Sequence, residues 1–213
     1  RRQRQMCIRD SISTYQTDKY WIAEGSKGLR SIQRKGSNSF EALNEPIILD
    51  GPYSNSAFDI VCKNDKVYMI IGGKDLLNGK RFDKGGYILT YDYDKWSFID
   101  PKEAQKKLNL PRNPRDYTSI AVTTDDSNDE IVYASSMGDG VIQYKNGTPV
   151  QSYNEKNAFK ETAGGYGSGY CYIDGLAFDK NGNLWMTSSE VNHAVLVLDK
   201  AGAWHRLDIE QLR

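Results

Sequence analysis

An all-β fold of repeated four-stranded sheets is predicted by three observations. The chain holds fourteen Tyr and 19 Gly against two His, a balance that suits pleated strands and tight turns better than helix bundles. Short runs alternate in period two: in "AFDIVCK" (57–63), Phe58, Ile60 and Cys62 share one face while Asp59 and Val61 share the other. One grammar of strand, polar turn and strand recurs four times along the 213 residues. The length allows one domain or two small ones. No stretch reaches the 18 or so consecutive apolar residues of a membrane-spanning helix.

The copies are 15–32, 62–73 continuing at 85–99, 122–147 and 178–207. Each opens on an apolar strand that ends in a turn rich in Asp, Asn, Lys and Gly. A second strand carries an aromatic near its start: Trp21, Tyr68, Tyr133 and Trp185. A third strand follows at 29–32, 87–91, 141–144 and 194–198, and in three copies a fourth at 96–99, 150–153 and 204–207. "DKNGN" (179–183) supplies Asn and Gly for a hairpin turn at positive φ. "AVLVLD" (194–199) is almost continuously apolar, as in a strand covered on both faces. The aromatics recur at 47, 65 and 52 residues, against about 40–50 for a propeller blade. The pattern therefore predicts a partial β-propeller of about four blades with insertions, near 11–37, 56–100, 117–154 and 172–208. These form one domain over 11–213, roughly half of a larger ring such as a seven-bladed one. A half-ring made alone would leave two blade faces open and prone to aggregate.

The insertions are 38–55, 100–116 and the tyrosine–glycine loop 163–170. In the second, Pro101 can open a helix, 103–108 is a good helical run, and Pro111 and Pro114 stop it. One short surface helix is expected near 101–109.

The opening stretch fits none of this. Gln5-Met6-Cys7-Ile8-Arg9-Asp10 can be encoded by CAG-ATG-TGT-ATA-AGA-GAC, followed by AG, a string that resembles a transposase adapter used in preparing DNA libraries. Residues 1–10 are therefore read as adapter-derived, with Ser11 ambiguous, and are set aside from the fold. The rival reading, a basic arm for nucleic acid or membrane, would need no such match. Setting 1–10 aside has three consequences. Cys7 leaves the count. The 28 basic and 28 acidic residues become 24 and 27, a net charge of about −3 that is no nucleic-acid footprint. The chain is expected to be a piece of a longer protein whose leader lies outside it.

Constellations with chemistry are sparse. His193 and His205 lack spaced partners for a metal site or a catalytic triad. Cys62 reads as a small buried hydrophobe in a core-facing position. A Cys62–Cys171 disulfide is conceivable only in an oxidising compartment and between non-adjacent repeats. "DDSNDE" (125–130) is acidic enough for calcium but lacks the EF-hand spacing and fits a hairpin turn. Asn146-Gly147-Thr148 matches a glycosylation sequon, yet turn chemistry explains it equally well. "AGGYGSGY" (163–170) lacks the strand-to-helix context of a phosphate loop. A plain connection accounts for it; the functional alternative is a loop whose Tyr166, Tyr170 and Tyr172 touch a ligand or partner. No catalytic, cofactor-binding or metal residues are assigned. A propeller enzyme would need metal-ligating side chains from several blades, and both histidines fall in the last copy.

"IDGLAFDKNGNLWMTSSEVNHAVLVLDKAGAW" (173–204) resembles the repeat of the two-component regulator propellers common in Bacteroidetes, and "YWIAEGSKGLRSI" (20–32) is similar. The longer pattern "GPYSNSAFDIVCKNDKVYMIIGG…GGYILTYDYDKWSFI" looks more like the PorZ-like surface components of the type IX secretion system, and the insertions at 38–55 and 100–116 favour that resemblance. It covers most of 12–210. It implies a non-enzymatic scaffold and binding propeller at the outer membrane and cell surface, within an attachment complex. The implied partners are outer-membrane secretion proteins, a sortase-type one among them, and a lipopolysaccharide glycan, with no cofactor and no nucleic acid. The alternative is a periplasmic ligand-sensing propeller of a hybrid two-component regulator.

Overall fold

The computed structural model describes residues 12–23, 29–45, 47, 51–54, 56–159, 169–189, 191 and 193–207. Residues 1–10, read above as adapter-derived, and Tyr166 lie outside them. The fold class is the expected one: four four-stranded antiparallel meanders, with one helix among the described residues. The chain divides into two compact units, Arg1–Gly51 and Pro52–Arg213.

The first unit holds β1 (Ile12–Gln16), β2 (Lys19–Ala23), β3 (Leu29–Arg34) and β4 (Phe40–Ala42), paired in chain order. β4 lies inside the stretch read from sequence as an insertion. It is three residues long and wholly exposed, so no alternation marks it. Asn44 Oδ1 accepts from Ser31 N at 2.8 Å and Ser31 Oγ at 2.5 Å, tying the exit of β4 back to β3.

The second unit has three meanders. The first is β5 (Ala57–Lys63), β6 (Lys66–Ile71), β7 (Ile88–Tyr91) and β8 (Trp96–Ile99). α1 (Pro101–Leu108) follows. Then come β9 (Tyr117–Thr124), β10 (Glu130–Gly138), β11 (Gly140–Lys145) and β12 (Thr148–Tyr153). Last are β13 (Cys171–Phe178), β14 (Leu184–Ser188), β15 (Val195–Leu198) and β16 (Trp204–Leu207). The end of β10 also pairs with the start of β13, through Met137↔Tyr172 and Gly138↔Cys171.

The middle sheet is covered on both faces. Ile120, Val122, Val132, Ala134, Ile142 and Tyr144 meet Tyr68, Ile70 and Ile88 of the preceding sheet. The intervening Ala121, Ile131, Tyr133 and Val141 meet Ile173, Leu184, Met186 and Leu196 of the following one. Two apolar faces make near-continuous apolar strands, the pattern of a sheet buried on both sides. Deep in the first layer Tyr117 and Tyr144 share a 2.5 Å hydroxyl–hydroxyl hydrogen bond. Burial pushes both phenols well above their ordinary pKa.

The innermost strands β5, β9 and β13 are joined by side chains. The Asp59 carboxylate accepts from Ser119 Oγ and Ile120 N, both at 3.1 Å. Ser119 Oγ accepts from Leu176 N at 3.2 Å, and Thr118 Oγ1 donates to the Ile173 carbonyl at 2.7 Å. These bonds set the three meanders side by side with their inner strands in step.

α1 is closed as its sequence predicts. Asp100 caps it by accepting from Lys102 N at 2.9 Å, Pro101 sits in the first turn, and Asn109 ends it in the left-handed region.

Two expectations change, for Cys62 and for the 179–183 turn, and the disulfide weighed as an alternative does not form. Cys62 is exposed rather than core-facing. The two faces of β5 alternate as read, but the Asp59/Val61 face meets the middle sheet, leaving Ile60 and Cys62 outward. Cys62 is exposed and Cys171 buried, and the two are not joined in a disulfide. In "DKNGN" the positive φ falls on Gly182 but not on Asn181. The turn is organised instead by Asp179, which accepts from Asn181 N, Asn183 N, Asn183 Nδ2 and Trp185 Nε1 at 2.8–3.0 Å.

The same device recurs at Asp125 and Asp199. In "DDSNDE", Lys145 Nζ lies 2.8 Å from both Asp125 and Asp129, so an ammonium fills the place considered for calcium. Asn146 and Gly147 form the tight turn between β11 and β12 at positive φ, with the Asn146 amide donating to Asp129 at 2.7 Å.

Gly72, at φ +135°, lies against the start of β9. A Cβ there would stand 2.4 Å from Tyr117 N and 2.5 Å from Asp116 Cα. Backbone cannot yield as a side chain can, so Gly72→Ala should destabilise the second unit by about 2–4 kcal/mol in denaturant unfolding. A change below about 1 kcal/mol would mean the contact relaxes freely.

The Trp185 indole, ahead of the Asn183 groups, holds the Asp179 carboxyl well below the usual carboxylate range. A depressed folded pKa stabilises the fold above the unfolded value of about 3.9 and loses that contribution as pH falls through the folded value. Trp185→Phe should raise the Asp179 titration toward the ordinary range, followed by carboxyl-carbon NMR. An unmoved titration would leave the backbone N–H groups as the sufficient cause.

Candidate functional site

In an antiparallel meander, the start of the first strand, the 2–3 connection and the end of the fourth strand lie at one edge. The inner strands run in step, so these edges coincide across the second unit. Residues 72–87, 100–116, 139, 154–159, 169–170, 189, 191 and 193–194 therefore meet on one side, and the short hairpin turns lie on the other. The insertion that the sequence left unplaced at 100–116 is a connection of this edge, and of the stretch 163–170 the described Gly169 and Tyr170 lie there too.

At its centre is Asp116, fully buried and at φ +49°. Its carboxylate accepts from Arg81 Nε at 3.1 Å, Asp83 N at 3.1 Å and Lys84 N at 3.0 Å. Its own backbone N–H donates to the Lys84 carbonyl at 2.9 Å, and its carbonyl accepts from Met137 N at 3.1 Å. One residue thus fastens the 72–87 connection to β10. Arg81 continues outward: its guanidinium donates to the Tyr170 hydroxyl, with Cζ 5.6 Å from that ring's centroid. Burial would lower the Arg81 pKa, but the bonds to Tyr170 and Asp116 outweigh it and raise it.

Of the tyrosines singled out in the sequence, Tyr170 and Tyr172 come together edge to face, 5.1 Å between centroids; nothing is described for Tyr166. Gly138 makes room for Tyr170: a Cβ there would stand 2.8 Å from its ring.

The pair separates two clefts. The first, about 220 Å³, is lined by Lys74, Asn78, Thr118, Met137, Tyr172 and Asp174, with Lys74 and Asp174 ion-paired across it. The second, about 480 Å³, is lined by Arg112, Pro114, Asp139, Asn154, Glu155 and Tyr170. There Asp139 accepts from Arg112 Nε at 2.8 Å and Arg115 N at 3.1 Å. Both clefts combine an aromatic wall with paired charges and amide groups, the lining of sites that hold polar, hydroxylated ligands. Each central carboxylate is engaged by a cation. Among the described residues no group of three or more His, Cys, Asp or Glu is gathered as for a metal ion.

Sequence reasoning singled out the two tyrosines that line these clefts but not Arg81, Asp116, Lys74, Asp174, Arg112 or Asp139. One signal was readable: the Gly72-Gly73 pair in "IIGGKD" marks a close backbone approach, and Asp116 is what approaches.

Over 90% of its length the chain superposes on PorZ, an essential bacterial surface component of the type IX secretion system of Porphyromonas gingivalis, with a TM-score of 0.59 and 24% identity. The chain shares the fold of that part of PorZ. It spans 24% of PorZ's length. It also matches the extracellular domain assigned to a hybrid two-component system of B. thetaiotaomicron at 12% identity, over 93% of this chain and 23% of that one, with a TM-score of 0.43. No protein-family profile matches the sequence. No curated protein matches it by sequence.

Removing one partner of a buried charged pair leaves the other uncompensated. Asp116→Ala should therefore cost about 3–5 kcal/mol and Arg81→Met less, measured by denaturant unfolding. Equal, small losses in both would show that water replaces the carboxylate.

Proposed function

We propose that residues 11–213 form a partial propeller domain of a PorZ-like surface protein, a non-enzymatic scaffold that binds a glycan and secretion partners on the connection edge. In this reading it belongs to the attachment complex of a type IX secretion system, at the cell surface and associated with the outer membrane. It helps anchor cargo to lipopolysaccharide alongside outer-membrane secretion proteins, a sortase-type partner among them.

The observation that carries the reading is the chain Asp116–Arg81–Tyr170, which holds a tyrosine pair rigidly between two clefts with polar walls. Preorganised aromatic surface flanked by amides and paired charges suits a sugar: C–H faces rest on rings while hydroxyls bond to the charged groups. The shared fold with PorZ supports the choice of system. Tyr170, Tyr172 and, from the sequence, Tyr166 are the proposed contact residues.

The test is calorimetric titration of the chain with the delipidated polysaccharide of lipopolysaccharide from a bacterium that carries this secretion system. Saturable binding is expected, weakened roughly tenfold by Tyr170→Ala, the loss of one ring contact, and weakened also by Arg112→Ala. Absence of binding, or binding indifferent to both substitutions, would sink the glycan reading. Tight binding of a free dietary oligosaccharide in place of the polysaccharide would favour a sensor propeller.

A further inference from the structure

The 72–87 connection also carries Leu76 and Leu77, 80% and 97% exposed. They are the two most exposed large apolar side chains among the described residues. Scattered surface leucines need no explanation, but this pair is built to stay out. Asp75 accepts from Leu77 N and Asn78 Nδ2, both at 2.8 Å, and Asn78 Oδ1 accepts from Lys80 N at 2.9 Å. Asp75 N donates to the Lys80 carbonyl at 2.8 Å, and Gly79 N to the Asp75 carbonyl at 2.7 Å. Five hydrogen bonds thus close the loop and fix two leucines at its tip, where they cannot fold back onto the protein.

The surroundings identify what meets the tip. Behind it stand exposed Lys80, Phe82 and Lys84, with the Lys84 ammonium 5.3 Å from the Phe82 ring centroid. The nearby acids are already engaged. Asp75 is occupied by the loop's own N–H groups, and Asp83 lies 3.6 Å from Arg81 and 3.8 Å from Arg115. Asp75 keeps its charge, but with Arg81 paired to Asp116 and Arg115 set against Asp83, Lys80 and Lys84 outnumber it by one, so the outward charge is weakly positive. A convex apolar tip, a half-exposed aromatic behind it and a collar of lysines match the layered chemistry of an anionic lipid surface: acyl chains, interface, headgroups.

We propose that Leu76 and Leu77 insert into an anionic lipid surface, with Lys80 and Lys84 at the headgroups. This contact would hold the connection edge, and both clefts, against the membrane. It does not depend on what the clefts bind.

The full chain should float with vesicles of phosphatidylcholine and phosphatidylglycerol in equal parts, and far less with phosphatidylcholine alone. Leu76→Ser with Leu77→Ser should reduce flotation roughly tenfold or more. Lys80→Ala with Lys84→Ala should reduce it at low salt and make little difference at high salt. Every variant keeps the arginines of residues 1–9, so their attraction cancels in the comparison. The tip supports no core, so the variants should fold, which far-UV circular dichroism checks. Leu77→Trp gives a positive readout: its emission should shift to the blue on mixed vesicles only. Flotation that survives the serine pair, or no blue shift, overturns the proposal. So does a tip-dependent contact with a purified secretion partner in the absence of vesicle binding, which would assign the tip to a protein pocket instead.

Discussion

The buried carboxylate of Asp116 is the constraint on which the connection edge depends. A charge with no exposure is tolerated only when its oxygens are filled by donors. Arg81, Asp83 N and Lys84 N fill them. The consequence is mechanical. The 72–87 connection is drawn down onto the start of β9, Gly72 must be a glycine to let it approach, and Arg81 is left aimed at Tyr170. Positions of the tyrosine pair, of the Lys74–Asp174 bridge and of the leucine tip all follow from that one fastening.

A second layer of the same logic runs through the inner strands. Asp59, Thr118 and Ser119 use side-chain oxygens to bond neighbouring sheets. Apolar packing between sheets is non-directional and would allow them to slide. Directional bonds at the inner strands remove that freedom, which is why the connection edges coincide and two separate clefts can share the tyrosines as a wall. The division of labour is clear in β9: Ile120 and Ala121 pack into opposite layers, while Thr118 and Ser119 set the register.

Much of the fold was legible because it is repeated and local. Aspartates that begin turns, alternating apolar residues and the Pro101 helix start each express their structure within a few residues. The exceptions are instructive. β4 is too short and too exposed to show a pattern. Cys62 was placed on the wrong side because alternation separates two faces without saying which of them a neighbouring sheet covers. Trp185 makes the same point. Tyr68 and Tyr133 pack against the sheet that follows their own. Trp185, on the corresponding side of β14 facing away from Leu184 and Met186, is exposed.

The sequence alone determined the repeat, the strand-and-turn grammar and the helix after Asp100. All of these rest on interactions between near neighbours in the chain. Only the tertiary structure decided which face of each sheet is buried, which connections share an edge, and that Asp116, Arg81 and Tyr170 form one unit. Those residues are 35 and 89 positions apart in their two contacts. Nothing in local periodicity encodes a partner so distant, because a carboxylate specifies only that it needs donors; the packing of the sheets determines which ones it finds.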